Sequence, residues 1–258
     1  MVDGSTVQAI GAIVLAPFVG SFLGVLAKRL PAGEGFVLSR SHAPCCGHTL
    51  GPADLAPLFS WVLLGRRCRY CSAPVSGFYP AIEIAALAVA AWAAVVVRGG
   101  PDWMIWPSAF LGWTLLALSA IDAERRILPD LLTLPLAPAG LAVVWMIDPD
   151  AIVSHAAGAV VGYAVFEAVR FLYRRLRGRE GLGQGDSKLL AAGGVWVGAI
   201  GLPTVVLYGS LAALAWILVR RAWTGGTVTA VTELPFGPFL ALGIWLVWLY
   251  GPLMMGIP

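Results

Sequence analysis

Charge is what this sequence has least of. Only 12% of the 258 residues are charged, about half the roughly 25% of a soluble domain. A soluble globule of this length would bury a large core, but so few charges could not cover it. Cysteine is also sparse, with four residues in the whole chain, which excludes a small disulfide-stapled fold. The composition likewise excludes a disordered or collagen-like chain. There is no internal repeat, no low-complexity tract and no G-x-G-x-x-G nucleotide loop. What fills the sequence is apolar: 59% of residues are hydrophobic and the mean hydropathy is +0.83. The class this implies is a polytopic, all-α membrane protein.

A transmembrane helix takes about 20 apolar residues. Eight candidate segments can be read: 7–27, 78–97, 104–121, 128–147, 152–172, 189–200, 203–219 and 236–252. The sixth, 189–200, is short. The first is not a secretory signal, because its N-terminal flank carries Asp3 and no Lys or Arg, while Lys28 and Arg29 follow the apolar run. It is expected to be a retained helix. Of the 17 basic residues, 15 fall in alternate loops: Lys28, Arg29, Arg40, Arg66, Arg67 and Arg69; then Arg125 and Arg126; then Arg174, Arg175, Arg177, Arg179 and Lys188; then Arg220 and Arg221. Arg170 sits near the same end of its segment, and Arg98 alone lies on the other side, whose loops carry Asp102, Asp148 and Asp150. The positive-inside rule makes the basic loops cytoplasmic and both termini external. The expected organisation is a first transmembrane helix over 1–28, a small cytoplasmic Cys-rich loop domain over 29–77 and a membrane-embedded part over 78–258.

All four cysteines, Cys45, Cys46, Cys68 and Cys71, lie in that first loop. Cytoplasmic thiols stay reduced, so a metal site is favoured over a disulfide. Cys68-Arg69-Tyr70-Cys71 is a C-x-x-C half-site for one tetrahedral zinc. The other half is irregular. Cys45 and Cys46 are adjacent, and neighbours do not easily converge on one ion, which leaves His42 and His48 as substitutes. A structural zinc would explain how a loop with few apolar anchors holds a shape.

Two carboxylates stand out among the 14 acidic residues. Asp122 closes one apolar segment in Ser119-Ala120-Ile121-Asp122-Ala123-Glu124-Arg125-Arg126-Ile127-Leu128-Pro129-Asp130, and Asp186 opens another in Gly183-Gln184-Gly185-Asp186-Ser187-Lys188. The expected topology puts both at the cytoplasmic ends of their helices, where they can face each other. Two close carboxylates suit peptide hydrolysis: like charges cannot both ionise easily, so one keeps a proton while the other activates water. Gly183 and Gly185 would let a substrate backbone pass close to Asp186. Against this stands a plain capping role for Asp186 and a turn role for Asp122. Asp130 reads as a cap or orienter for the following helix.

In this order the motifs resemble the prepilin peptidases, or type IV leader peptidases, of the G-x-G-D intramembrane aspartyl proteases. The landmarks are Gly20-Ser21-Phe22-Leu23, the Cys loop with Leu63-Leu64-Gly65-Arg66-Arg67-Cys68-Arg69-Tyr70-Cys71, Tyr79-Pro80-Ala81-Ile82-Glu83, the Asp122–Asp130 stretch, Gly183 to Lys188 and Pro235-Phe236-Gly237-Pro238. The resemblance implies that Asp122 and Asp186 are catalytic. It implies a bacterial inner-membrane enzyme, active at the cytoplasmic face, that removes the basic leader of type IV prepilins or pseudopilins for pilus assembly or type II secretion. It also implies N-methylation of the new N-terminus from S-adenosylmethionine. The acidic Glu124, Glu180 or Glu233 could attract the basic leader. The family usually carries two C-x-x-C pairs. Aligning on Cys46-Gly47-His48 puts Ala43 where the first cysteine is expected, so Cys46, Cys68 and Cys71 are the supported zinc ligands and Cys45 the candidate fourth. The expected partners are the prepilin and membrane lipid, not nucleic acid. The competing reading is a membrane transporter or subunit that uses Asp122 and Asp186 as an ion site.

Overall fold

A computed structural model describes residues 4–35, 40–51, 53–97, 100–178, 181–224 and 234–253. Asp3, Arg98, Arg179, Glu180 and Glu233, which enter the sequence reading, lie outside the described residues. The elements are all helical: α1 (Gly4–Arg29), α2 (Phe59–Leu63), α3 (Phe78–Val96), α4 (Ile105–Arg125), α5 (Asp130–Ile147), α6 (Ile152–Arg177), α7 (Gln184–Thr224) and α8 (Gly237–Tyr250), with short 3-10 turns between some of them. Among the described residues, β structure is limited to two isolated bridges in the Cys loop, His42 with Thr49 and Arg67 with Pro74.

Among the described residues, six helices are long and apolar enough to cross a membrane: α1, α3, α4, α5, α6 and α7. The expected count of eight spans is therefore not reached on helix length. The expected segments 189–200 and 203–219 fall inside the 41-residue α7, which is broken at Gly198 (φ 70°, ψ 169°). The eighth segment is the 14-residue α8, shorter than the roughly 20 residues a full crossing takes.

The break in α7 is a reversal. A Cβ on Gly193 would meet Ile244 of α8, and one on Gly201 would meet Val247. Beyond that point the partners run back: Val205 lies against Gly243, and Gly209 against Phe239. Glycine supplies the positive φ that the reversal needs. His155 of α6 puts its Nδ1 2.6 Å from the carbonyl oxygen of Val195, giving a backbone group beside the break a polar partner, as irregular backbone in a membrane requires.

The chain divides within α4 into two compact units, 1–117 and 118–258. In the first, α1 packs on α3 along a seam of small residues, with Ala12, Ala16, Ala86, Ala90 and Ala93 fully buried. A Cβ on Gly20 would lie 2.5 Å from the Cα of Glu83. In the second, Gly158 and Gly162 of α6 face α7; a Cβ on Gly158 would lie 2.3 Å from the carbonyl oxygen of Gly194. Lipid tails are as apolar as leucine, so helices associate through close backbone approach of this kind. In α5, Leu136 offers its carbonyl to Trp196 Nε1 of α7 at 2.8 Å. Together these contacts fix the start of α7 against α5, α6 and α8.

Candidate active site

Asp122 lies in the last turn of α4, and Asp186 in the first turn of α7. Both are almost fully buried, at 6% and 8% exposure. They line one cavity of about 270 Å³ together with Arg126, Ile127, Leu128, Gly183, Gln184, Gly185 and Lys188. Residues far apart in the sequence thus meet at helix ends, as the topology reading expects.

Each carboxylate is held by a glycine N–H. Gly183 donates to Asp186 Oδ2 at 3.3 Å. Gly183 immediately precedes α7, so Asp186 stands at the third helical position and reaches back to the capping residue, one half of a capping box. Asp186 is therefore not itself the N-cap residue that the sequence offered as an alternative; it binds the N–H of the residue in that place, Gly183, while also lining the cavity. Gly237 donates to Asp122 Oδ2 at 3.0 Å. Gly237 opens α8, where exposed N–H groups and the helix dipole favour an anion.

The two glycines near Asp186 are packed as well as accessible. A Cβ on Gly185 would meet the Cβ of Leu128 at 2.9 Å, and one on Gly183 would lie 3.2 Å from Asp186 Oδ2. Gly237 is the residue that sequence reasoning missed. A Cβ there would come within 2.7 Å of Asp122 Oδ2. It stands in the Pro235–Pro238 landmark, but the sequence offered no reason to pair it with a carboxylate 115 positions away. Asp130 opens α5 and is bound by Lys188 of α7, whose Nζ lies 2.7 and 2.8 Å from its two oxygens. It is absent from the cavity lining, in keeping with an orienting role. Glu124 is surface-exposed and 4.0 Å from Arg125.

The Cys loop builds a second site in the other unit. The bridge between His42 and Thr49 closes a turn around Cys45 and Cys46, and that between Arg67 and Pro74 closes one around Cys68 and Cys71. Cys46 and Gly47 both donate their N–H to the carbonyl of Ala43, and Gly47 takes φ 70°. This tight curl turns the adjacent Cys45 and Cys46 toward the second knuckle. All four sulfurs lie within 4.8 Å of one another, with Cys45 and Cys71 3.2 Å apart. Four thiolates around zinc, each at about 2.3 Å, would stand about 3.8 Å apart, so the set fits one tetrahedral ion.

The histidines raised as substitute ligands are engaged elsewhere. His48 stacks on Tyr70 with ring centroids 3.7 Å apart, and His42 Nδ1 lies 3.0 Å from Arg29. Backbone N–H groups of Cys71 and Tyr70 lower the Cys68 thiol to about 7, whereas hydrogen bonding to Cys71 pushes Cys45 up to about 12. Asp54 braces the second knuckle by accepting from the Tyr70 hydroxyl at 2.8 Å and pairing with Arg69 at 2.8 Å. The Tyr70 hydrogen bond holds the Asp54 carboxyl below its usual range.

The same regions are recognised by known families. The family model for the bacterial peptidase A24 N-terminal domain matches residues 14–97, and that for the type IV leader peptidase family matches 109–218. A prepilin leader peptidase/N-methyltransferase of Burkholderia pseudomallei is 39% identical over 257 residues, covering 90% of this chain and 82% of that protein. Proteins of the same name from Aeromonas hydrophila and Pseudomonas aeruginosa are 34% and 35% identical, over 90% and 93% of this chain and 87% and 89% of their own lengths. No solved structure matches the chain.

Proposed function

This chain belongs to the type IV leader peptidase family, and on that premise we propose that it is a prepilin leader peptidase that also N-methylates its product. The observation that carries the reading is the single cavity lined by Asp122 and Asp186. With one oxygen of each carboxylate tethered to a glycine N–H, the other can face a water. Two carboxylates on one small cavity favour sharing a proton over double ionisation.

The ionised partner takes a proton from water as the water oxygen attacks the scissile carbonyl carbon. The protonated partner gives its proton to the carbonyl oxygen. Collapse of the tetrahedral diol breaks the C–N bond: the leaving nitrogen takes the proton held by the first carboxylate, and one diol hydroxyl returns its proton to the second as the new carboxyl C=O forms. The dyad then returns to its starting state without a covalent intermediate. Gly183 and Gly185 on the cavity wall leave room for an extended backbone beside Asp186.

The substrate class is the type IV prepilins or pseudopilins, cut between basic leader and apolar stem. The basic-loop asymmetry supports an inner-membrane location with the dyad at the cytoplasmic face. The four cysteines hold one structural zinc, which organises the loop and takes no part in hydrolysis. S-adenosylmethionine supplies the methyl group for the second activity, and no residue of this chain is assigned to it. A transporter is the weaker reading, because both aspartates sit at helix ends and the family matches cover both units.

The test is direct. Membrane-embedded protein is incubated with a prepilin and S-adenosylmethionine, and the product is weighed by mass spectrometry. Loss of the leader mass reports cleavage, and a gain of one methyl reports the transfer. An unchanged prepilin, with the enzyme correctly inserted, would remove the peptidase assignment.

A further inference from the structure

The Cys loop carries an apolar surface that neither the cysteines nor the dyad uses. Phe59, Val62 and Leu63 of α2 stand at i, i+3 and i+4, one face of a helix, and are 72%, 66% and 81% exposed. Three neighbouring large apolar side chains this open to water would be a liability in a soluble loop.

The position of α2 along the membrane helices accounts for them. The N–H of Leu58, the residue preceding α2, donates to Glu83 Oε2 of α3 at 2.8 Å. Glu83 lies five residues past the start of α3, about 7.5 Å along its axis at 1.5 Å per residue. The backbone of Glu83 is packed against Gly20 of α1, nine residues short of Arg29. The hydrogen bond therefore holds the start of α2 beside the first two turns of α3 rather than above them. Trp61 fastens the other side of the helix, its Nε1 bonded to the Val75 carbonyl at 3.3 Å.

Charge completes the pattern. Arg66 and Arg67 are exposed directly after α2, and the Arg66 guanidinium lies 5.0 Å over the Trp61 ring. Apolar residues on one face, an aromatic ring at the border and arginines beyond it are the features of a segment lying in a membrane interface. A five-residue helix is too small to supply the roughly 800 Å² per partner of a stable protein interface.

We propose that α2 dips into the bilayer interface, with Phe59, Val62 and Leu63 among acyl chains and Arg66 and Arg67 at the phosphates of an anionic leaflet. The Cys loop is then a membrane-bound platform, anchored by α1, α3 and α2 rather than tethered at its ends alone.

The experiment uses the full chain in vesicles of phosphatidylethanolamine and phosphatidylglycerol. A photoreactive benzoylphenylalanine replaces Val62 in one preparation, Leu63 in a second and Glu34, exposed beyond the end of α1, in a control. After irradiation, mass spectrometry identifies what each position has captured. Phospholipid adducts at 62 and 63, several-fold above those at 34, are the expected result. Adducts to a second protein chain, or lipid adducts at 62 and 63 no more abundant than at 34, would overturn the proposal. Two probe positions guard against one substitution disturbing the loop, and zinc content reports whether the loop is intact.

Discussion

At the scale of single residues, the proposed chemistry depends on how two carboxylates are held. Asp122 and Asp186 each take a hydrogen bond from a glycine N–H, and a Cβ would crowd the carboxylate at Gly237 (2.7 Å) more than at Gly183 (3.2 Å). Gly237→Ala tests this most sharply. Alanine suits a helix better than glycine, so the protein should still fold and insert. Its Cβ would press on Asp122 Oδ2, 2.7 Å away, and should lower kcat for leader cleavage about tenfold or more, some 1.4 kcal/mol of barrier, with little change in KM. Unchanged kcat would mean that this hydrogen bond does not position the carboxylate. The aspartates themselves were legible in the sequence, because Gly-x-Gly-Asp and the alternation of basic loops put both at the same ends of helices. Gly237 was not, since a backbone donor leaves no chemical signature in a one-dimensional string.

At the scale of elements, close helix approach and the turns of the Cys loop do most of the organising. Gly194→Val would drive a side chain into the Gly158 carbonyl, 2.4 Å from its Cβ, and should destabilise the protein by about 1–3 kcal/mol, the usual cost of overpacking. Thermal unfolding in detergent measures this. Val160→Leu, on a residue 70% exposed, should leave the midpoint unchanged. In the Cys loop, elemental analysis should find about one zinc per chain. Cys45→Ser should lose the metal and His48→Ala should keep it; the reverse result would return histidine to the ligand set. The C-x-x-C half-site was plain in the sequence. The place of Cys45 beside the other three thiols was not, because the curl that turns adjacent cysteines inward depends on backbone bonds to Ala43 and a left-handed Gly47. The two apolar runs flanking Gly198 were legible as separate segments; the reversal between them was not, since hydropathy alone does not locate a positive-φ glycine.

At the scale of the whole molecule, the asymmetry of basic residues makes a claim about orientation. A reporter active only outside the cytoplasm should be silent when fused after Arg67 and active when fused after Pro258; the opposite pattern would put both aspartates on the wrong side of the membrane for a cytoplasmic leader. The central claim is that these aspartates form one hydrolytic unit, and it is tested by cleavage of a prepilin in membranes containing the full-length protein. Asp122→Asn and Asp186→Asn should each reduce cleavage at least about a hundredfold, the scale of a lost general acid or base, and the double variant should be no worse than either alone. Asn keeps the shape and still accepts the glycine N–H, so a role confined to capping would show little effect. Asp130→Asn, which breaks an exposed ion pair with Lys188, should cost about fivefold at most. Substantial leader removal by either single variant, correctly inserted and at normal abundance, would contradict the dyad.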